Sequence, residues 1–189
     1  MPRTLHAQPL SVYLKPGQYF VGDARRQVHT LLGSCVSITL WHRARRVGAM
    51  SHFMLAQRHP GRPRGADDAL DARYGPEALA LMLRGLAALG VRGADCEAKL
   101  FGGGSMFPGQ GVEASPSVGR SNGDAAVALL QVQGIRVVSY SLFGVGHRKI
   151  VFDIATGDVW AQREGRDTGT APLDLTECTG PLALRRVPS

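Results

Sequence analysis

The stretch LLGSCVSITLWHRARRVGAMSHFML, residues 31–55, decides the fold, because it contains two largely apolar segments separated by a basic turn. Side chains alternate between the faces of a strand, and an even-numbered turn fixes which residues pair across a hairpin. If residues 43–46 form the turn, residue 42 pairs with residue 47, and Ser37 therefore pairs with His52. Cys35 is then diagonal to His52 on the same face, with the two backbones about 7–8 Å apart.

The two faces of this predicted hairpin differ in character. One face is apolar and is predicted to be buried, and its residues are Val36, Ile38, Leu40, Val47, Ala49, Phe53 and Leu55. The other face carries Cys35, Ser37 and His52, a mixture that suits a site at the rim of a sheet better than a core. The Gly33-Ser34 turn before Cys35 would expose the thiol and leave backbone N–H groups free nearby.

These features predict that Cys35 is a nucleophile and that His52 is its acid–base partner. The alternative is packing, because a free cysteine is among the most buried residue types and a lone histidine is often structural. In a catalytic pair, a nearby imidazolium would favour the thiolate. We therefore expect the pKa of Cys35 to lie below the free value of about 8.5.

Length and composition indicate one folded unit, because 189 residues with 44% hydrophobic content can bury one core. We expect a domain at residues 15–163, an N-terminal extension at 1–14 and a partly ordered tail at 164–189. The chain has no apolar run of roughly 18 residues and no signal-peptide core. It is expected to be cytoplasmic, without membrane insertion. Three cysteines without close spacing indicate reduced thiols.

The net charge of +7 raises the question of nucleic-acid binding. The basic residues are mostly scattered arginines, and no aromatic side chains on which bases could stack lie among them. We therefore expect no specific nucleic-acid partner and favour a solvated surface or a patch for an acidic protein. The arginine-rich segment at residues 58–73 is a candidate specificity insert.

Strands alternate with helices along the chain, which predicts an α/β fold: a single domain with a mixed or antiparallel β-sheet flanked by two main helices. The first helix is predicted to begin at Pro76 and to end before Gly90. The second is predicted over residues 121–134, with Ser121 or Asn122 as its N-cap. Strands are predicted at residues 17–23, 28–32, 35–42, 47–55, 96–101, 135–143 and 149–162, the last range being a hairpin.

Other chemistry-bearing residues do not form a recognisable site. The glycine-rich segment FGGGSMF, residues 101–107, lacks the lysine and the spacing of a phosphate loop. Its glycines are expected to let the backbone approach an active-site rim. Cys96 and Cys178 are predicted to be non-catalytic. We expect no cofactor. We also expect no metal, because four further histidines are too far apart for a regular ligand pattern: His29, His42, His59 and His147.

Four segments resemble the CheD family of bacterial chemotaxis proteins in order and spacing: LLGSCVSITLWHRARRVGAMSHFML, AKLFGGGSMF, VGRSN and HRKIVFDIATGDVW. The resemblance implies a fold similar to the catalytic domains of deamidating bacterial toxins. It implies a protein-glutamine glutaminase that converts glutamines of methyl-accepting chemotaxis receptors to glutamate, without a cofactor. The alternative is a non-catalytic adaptor that binds a CheC-type phosphatase or a receptor helix, and that phosphatase is also a candidate partner of the enzyme.

The same resemblance implies roles for individual residues. The motif cysteine is Cys35 and the motif histidine is His52. A threonine a few residues before the cysteine is the third catalytic member of the family, and Thr30 is the candidate here, with His29 as the alternative. Because the substrate is a side chain on a long receptor helix, the site is expected to be shallow and open at the rim. Residues implied to bind substrate or its oxyanion are Ser34, Gly102, Gly103, Ser105 and Asn122.

Overall fold

The structure is a computed structural model that describes residues 9–61, 63, 65, 68–106, 117–164 and 176–177. The described residues contain two helices, α1 (Gly75–Ala88) and α2 (Val118–Val132), and one 3₁₀ turn at Gly93–Asp95. The strands are β1 (Leu10–Tyr13), β2 (Gln18–Asp23), β3 (Arg26–Leu32), β4 (Val36–His42), β5 (Val47–His52), β6 (Glu97–Gly102), β7 (Arg136–Leu142), β8 (His147–Asp153), β9 (Val159–Glu164) and β10 (Thr176–Glu177).

The strands form two five-stranded sheets. The first sheet has the order β1-β3-β8-β9-β10, and the second has the order β2-β5-β4-β6-β7. Each sheet is mixed, because β1 runs parallel to β3 and β6 runs parallel to β7. The α2 helix connects β6 to β7, as parallel neighbours require a long crossover. The predicted α/β class and the two main helices are confirmed, while the strands predicted for one sheet are divided between two.

Two strands lie in segments that were predicted to be outside the domain. The strand β1 pairs with β3 from Leu10 opposite Arg26 to Tyr13 opposite His29, so the first sheet reaches into the predicted N-terminal extension. The strand β10 pairs with β9 from within the predicted tail. The remaining parts of those two segments, including Cys178, lie outside the described residues.

The register of the β4–β5 hairpin is confirmed. His42 pairs with Val47, and the same register continues to Thr39 opposite Met50. An isolated bridge between Val36 and Phe53 extends it past the predicted Ser37–His52 position. Leu55, which was predicted to be buried, is 43% exposed, because the chain has left the sheet there to bridge Tyr74 at the start of α1.

Both faces of this hairpin are buried. The apolar face packs against the two helices, where Leu40 and Leu86 are fully buried in one core. The face of Cys35 packs against the first sheet, where Met50 and Phe152 are fully buried in a second core. The interpretation that this mixed face suits a site better than a core is therefore wrong for Ser37 and His52, because the first sheet covers them. That the site is open at its rim stays a prediction.

The helices follow the rules of helix ends. The α1 helix has Pro76 in its first turn, and Gly90, with φ of +71°, follows its C-cap residue Leu89. The α2 helix begins a turn earlier than predicted, because the Ser117 hydroxyl accepts a hydrogen bond from the Arg120 amide and forms the N-cap. The predicted cap at Ser121 or Asn122 is wrong, since both residues lie inside the helix.

A salt bridge holds the arginine-rich segment against α1. Arg58 donates from Nε to Oε1 of Glu77 at 2.5 Å and from Nη2 to Oε2 at 2.9 Å. Oε2 of Glu77 also accepts the Asp71 amide at 2.7 Å. Glu77 is 9% exposed, and the Arg58 guanidinium lies over the Tyr74 ring. One carboxylate thus anchors both ends of this segment, whose role as a specificity insert stays a prediction.

Removing this carboxylate should make the protein less stable in a pH-dependent way. The hydrogen bonds from Arg58 lower the pKa of Glu77. The carboxylate therefore stabilises the fold above the ordinary glutamate pKa, and this contribution is lost as the pH falls through the lowered value. We expect Glu77→Gln to reduce the free energy of unfolding by about 1–3 kcal/mol near neutral pH and by less in acid. Urea denaturation at several pH values measures both.

The matched control is Asp124→Asn, which removes the exposed pair between Arg120 and Asp124 on α2. Exposed helix pairs contribute about 0.3–0.5 kcal/mol. An effect of Glu77→Gln that is equally small, or that does not change with pH, would contradict the anchoring role.

Candidate active site

Cys35 lies where the chain crosses from one sheet to the other. Residues 33–35 connect the end of β3 in the first sheet to the start of β4 in the second. Cys35 is half-buried and packs against the core between the sheets. The turn before the nucleophile candidate is thus an inter-sheet connection, and this places the thiol at the end of the interface between the sheets.

His52, at the end of β5, is held from the opposite sheet. Its Nδ1 lies 2.7 Å from Oγ1 of Thr30 on β3, and the Thr30 hydroxyl donates to the Leu14 carbonyl at 2.8 Å. The hydroxyl has one hydrogen, and a carbonyl can only accept it. Nδ1 must therefore donate to Thr30, which leaves the Nε2 lone pair of His52 free to accept a proton.

The structure distinguishes the two candidates for the third residue. Neighbouring residues on a strand face opposite ways. Thr30 is 5% exposed and contacts His52 between the sheets. The His29 ring lies on the other face of β3, where it stacks on Tyr13 with 4.7 Å between ring centroids. Only Thr30 is therefore placed to orient the imidazole, and its catalytic role stays a prediction.

Burial leaves the thiol and the imidazole uncharged. It lowers the pKa of His52 to about 4, and the Leu14 carbonyl opposes this only in part. Burial also raises the pKa of Cys35, although the residue's own backbone N–H opposes it. The expected low pKa of the Cys35 thiol is wrong for the free protein, because no imidazolium stands beside it at neutral pH.

The glycine loop after β6 supports the Cys35 turn. The Gly103 amide donates to the Cys35 carbonyl at 2.9 Å, and the Gly104 amide donates to the Gly33 carbonyl at 2.8 Å. A Cβ on Gly102, whose φ is +110°, would lie 2.2 Å from the Cys35 carbonyl oxygen. Backbone packs directly on backbone here, so the loop requires glycine.

The other predicted site residues lie around the same turn. Ser105 contacts the loop between β7 and β8, where its backbone amide donates to the Gly144 carbonyl at 2.7 Å. Asn122 of α2 donates from Nδ2 to the carbonyls of Ser34 and Met54. The structure therefore brings together the residues implied for the site, and their contacts with a substrate stay predictions.

Sequence reasoning did not find the contribution of Leu14. The residue follows β1, a four-residue strand that was not predicted, and it acts through its carbonyl. A backbone acceptor has no side-chain signature. The only available signal was the apolar alternation in PLSVYL, which is too short to identify a strand by itself.

The remaining groups of the described residues offer no second site of this kind. Cys96 is buried, and burial raises its pKa to about 11. Among the described residues, no three His, Cys, Asp or Glu side chains come together so that they could hold a metal ion. None of the helices in the described part of the chain has the length and apolar character needed to span a bilayer.

The arginines pair with acidic neighbours at separate places on the surface. These pairs include Arg25–Asp23, Arg58–Glu77, Arg73–Asp71, Arg92–Asp95, Arg120–Asp124 and Arg136–Glu97. A nucleic-acid site needs basic side chains that are free to neutralise phosphates. The pairing therefore supports the interpretation that the net charge does not mark such a site.

The sequence was compared with protein families and with individual proteins, and both comparisons find similarity to one family. The profile of the family described as CheD chemotactic sensory transduction matches residues 54–163. A protein of Albidiferax ferrireducens named probable chemoreceptor glutamine deamidase CheD 2 is 54% identical over 165 residues, which are 86% of this chain and 94% of that protein. Probable chemoreceptor glutamine deamidase CheD 3 of Dechloromonas aromatica is 42% identical over 159 residues, 84% and 88% of the two chains. The chain belongs to the CheD family.

The raised pKa of Cys35 can be tested by alkylation with iodoacetamide. Alkylation requires the thiolate, so the rate at Cys35 should rise with pH to an inflection above about 8.5, the free cysteine value. Cys96 should react more slowly still, because it is 3% exposed and its pKa is about 11. Timed labelling followed by mass spectrometry of the separate peptides measures each rate. An inflection below that of free cysteine would show a thiolate–imidazolium pair in the resting protein.

Proposed function

We propose that this chain is a cytoplasmic chemoreceptor glutamine deamidase with Cys35, His52 and Thr30 as its catalytic residues. The single observation that carries the proposal is the hydrogen-bonded row from His52 through Thr30 to the Leu14 carbonyl, beside the turn of Cys35. This row fixes the ring and its tautomer, as the third member of a catalytic triad does. The names of the relatives supply the substrate class.

In the first step, the Cys35 sulfur attacks the carbonyl carbon of a receptor glutamine side chain, and the thiol proton passes to Nε2 of His52. Both groups are uncharged before the reaction, because burial raises the pKa of one and lowers that of the other. The proton therefore moves during the attack and not before it. Charge develops only when the substrate carbonyl is present to accept it.

The backbone N–H of Cys35 is the first donor to the resulting oxyanion. This N–H lowers the pKa of the residue's own thiol and so opposes the effect of burial. It donates to no backbone carbonyl of the described residues. The amides of Gly103 and Gly104 are already engaged with the Cys35 turn, so we assign Gly102 and Gly103 to supporting that turn. Ser34 and Ser105 are the polar side chains left to contact the substrate.

The second half of the reaction returns the residues to their starting state. His52 gives its proton to the departing nitrogen, ammonia leaves, and a thioester on Cys35 remains. Nε2 then accepts a proton from water as the water attacks the thioester, and it gives this proton to the departing Cys35 sulfur. The products are a receptor glutamate and the free thiol, so the site needs no oxidant, metal or cofactor to balance the reaction.

The position of the thiol favours a long, unbranched substrate side chain. Cys35 is half-buried at the end of the interface between the sheets, and His52 is 2% exposed. A reacting amide must therefore reach inward from the surface that binds the receptor. Glutamine carries its carboxamide two methylenes beyond Cα, one more than asparagine, and this extra reach favours glutamine.

The enzyme is tested with receptor cytoplasmic fragments, in which conversion of glutamine to glutamate raises the mass by about one dalton. We expect the wild type to release ammonia and Cys35→Ala to release none, with an unchanged melting temperature. His52→Gln should lower turnover by about 10²–10⁴-fold and should still bind the fragment in a pull-down. Cys96→Ser is the matched control and should keep wild-type turnover.

This experiment also separates the enzyme from the adaptor. Receptor binding without ammonia release by the wild type would favour the adaptor hypothesis. Full turnover in His52→Gln would contradict the proposed role of His52 but would still support the deamidase activity. Binding of a CheC-type phosphatase stays a separate prediction for either outcome.

The role of Thr30 can be tested by two substitutions. Thr30→Val keeps the shape but leaves the Nδ1 hydrogen of His52 without its acceptor, and turnover should fall about 10–10²-fold. Thr30→Ser keeps the hydroxyl and should retain most of the activity. Ring ¹⁵N shifts of His52 should report the Nδ1–H tautomer in the wild type and in Thr30→Ser only. Equal tautomer populations in all three proteins would show that Thr30 does not set the tautomer.

A further inference from the structure

Asn122 joins the two strand ends that carry the proposed nucleophile and base. It is the only asparagine in the sequence, and on α2 it is 1% exposed. Its Nδ2 donates to the Ser34 carbonyl at 3.0 Å and to the Met54 carbonyl at 2.8 Å. Because only the nitrogen of a side-chain amide can donate to carbonyls, both hydrogens are used and the orientation of the amide is fixed.

These two carbonyls belong to the segments that carry Cys35 and His52. The Ser34 carbonyl and the Cys35 N–H belong to one planar peptide group, so a contact that fixes the carbonyl also fixes the N–H. The Met54 carbonyl lies two residues beyond His52, opposite Cys35 in the register of the β4–β5 hairpin. One side chain thus ties the turn of the nucleophile to the strand of the base.

The sheet itself does not hold the peptide between Ser34 and Cys35. The strand β4 begins at Val36. The Cys35 carbonyl, which belongs to the next peptide group, accepts the Gly103 amide. Donation from Asn122 to the Ser34 carbonyl also polarises that peptide and makes its N–H a stronger donor, since hydrogen bonds in a chain reinforce one another.

The side-chain amide of Asn122 lowers the stability of the fold in one respect, so packing alone does not explain its presence. Its Oδ1 is buried and has no hydrogen-bond partner among the described residues. An unpaired buried acceptor destabilises a protein, and an apolar side chain of the same size would avoid this. The two donated hydrogen bonds are therefore what an amide provides at this position and an apolar residue cannot.

We propose that Asn122 is a positioning residue, which holds the Ser34–Cys35 peptide so that the Cys35 N–H and Sγ face the substrate carbonyl together. The inference rests on the proposed function of Cys35. It assigns Asn122 no contact with the substrate, because both of its hydrogens are already donated.

Two variants of Asn122 and one neighbour test this role. Asn122→Leu keeps the volume and removes both donors. Asn122→Asp keeps the shape, and its carboxyl can donate one hydrogen bond when protonated and none when ionised. Ser121→Ala changes the preceding helical residue and leaves both donated bonds in place, so it serves as the control. Circular dichroism and thermal melting establish that each variant is folded.

Turnover of a receptor fragment is the first readout. We expect kcat of Asn122→Leu to fall about 10–10²-fold, as for a misplaced reacting group, with KM nearly unchanged and with Ser121→Ala equal to the wild type. Asn122→Asp should keep part of its kcat in acid and lose it as the pH rises, a step that the wild type lacks. Wild-type kcat in folded Asn122→Leu would overturn the inference and leave the proposed function standing.

The ¹⁵N–¹H resonance of the Cys35 amide is the second readout and does not depend on turnover. It should shift in Asn122→Leu and stay in place in Ser121→Ala. If the wild type releases no ammonia, the proposed function is wrong. In that case the Cys35 resonance still tests the positioning role, and an unshifted resonance in Asn122→Leu overturns it. If Asn122→Leu does not fold, Asn122→Asp decides, because a pH profile of kcat and of the Cys35 resonance equal to the wild type overturns the inference.

Discussion

The hydrogen bond between Nδ1 of His52 and the Thr30 hydroxyl connects the two sheets at the candidate active site. It joins β5 of one sheet to β3 of the other, and the Thr30 hydroxyl in turn donates to the Leu14 carbonyl. The position of the ring therefore depends on how the sheets pack together. A change in sheet packing would alter the direction in which the Nε2 lone pair of His52 points.

The location between two sheets also explains the protonation states. Packing of the first sheet over the mixed face of the hairpin removes water from His52 and partly from Cys35. Loss of water disfavours the charged form of each group, so a neutral thiol and a neutral imidazole coexist in the resting protein. This arrangement protects the thiol from oxidation and alkylation, which both require the thiolate.

The parts of the structure that follow local rules could be predicted from sequence. The β4–β5 register follows from strand alternation and turn length, and it brought Cys35 and His52 to one face. The covering of that face by a second sheet could not be predicted, because alternation shows which residues share a face and not what packs on it. The contacts of Leu14 and Asn122 were missed for a related reason, since both involve backbone carbonyls that leave no trace in a side-chain pattern.

The four-residue strand β1 lies at an edge of the first sheet and pairs there with β3. A strand that is paired on one side only can open locally with less loss of structure than a strand inside the sheet. Opening of β1 would withdraw the Leu14 carbonyl, free the Thr30 hydroxyl to donate to His52, and so exchange the tautomer of the ring. The local stability of this edge strand would thereby decide which ring nitrogen carries the proton in a histidine some forty residues further along the sequence.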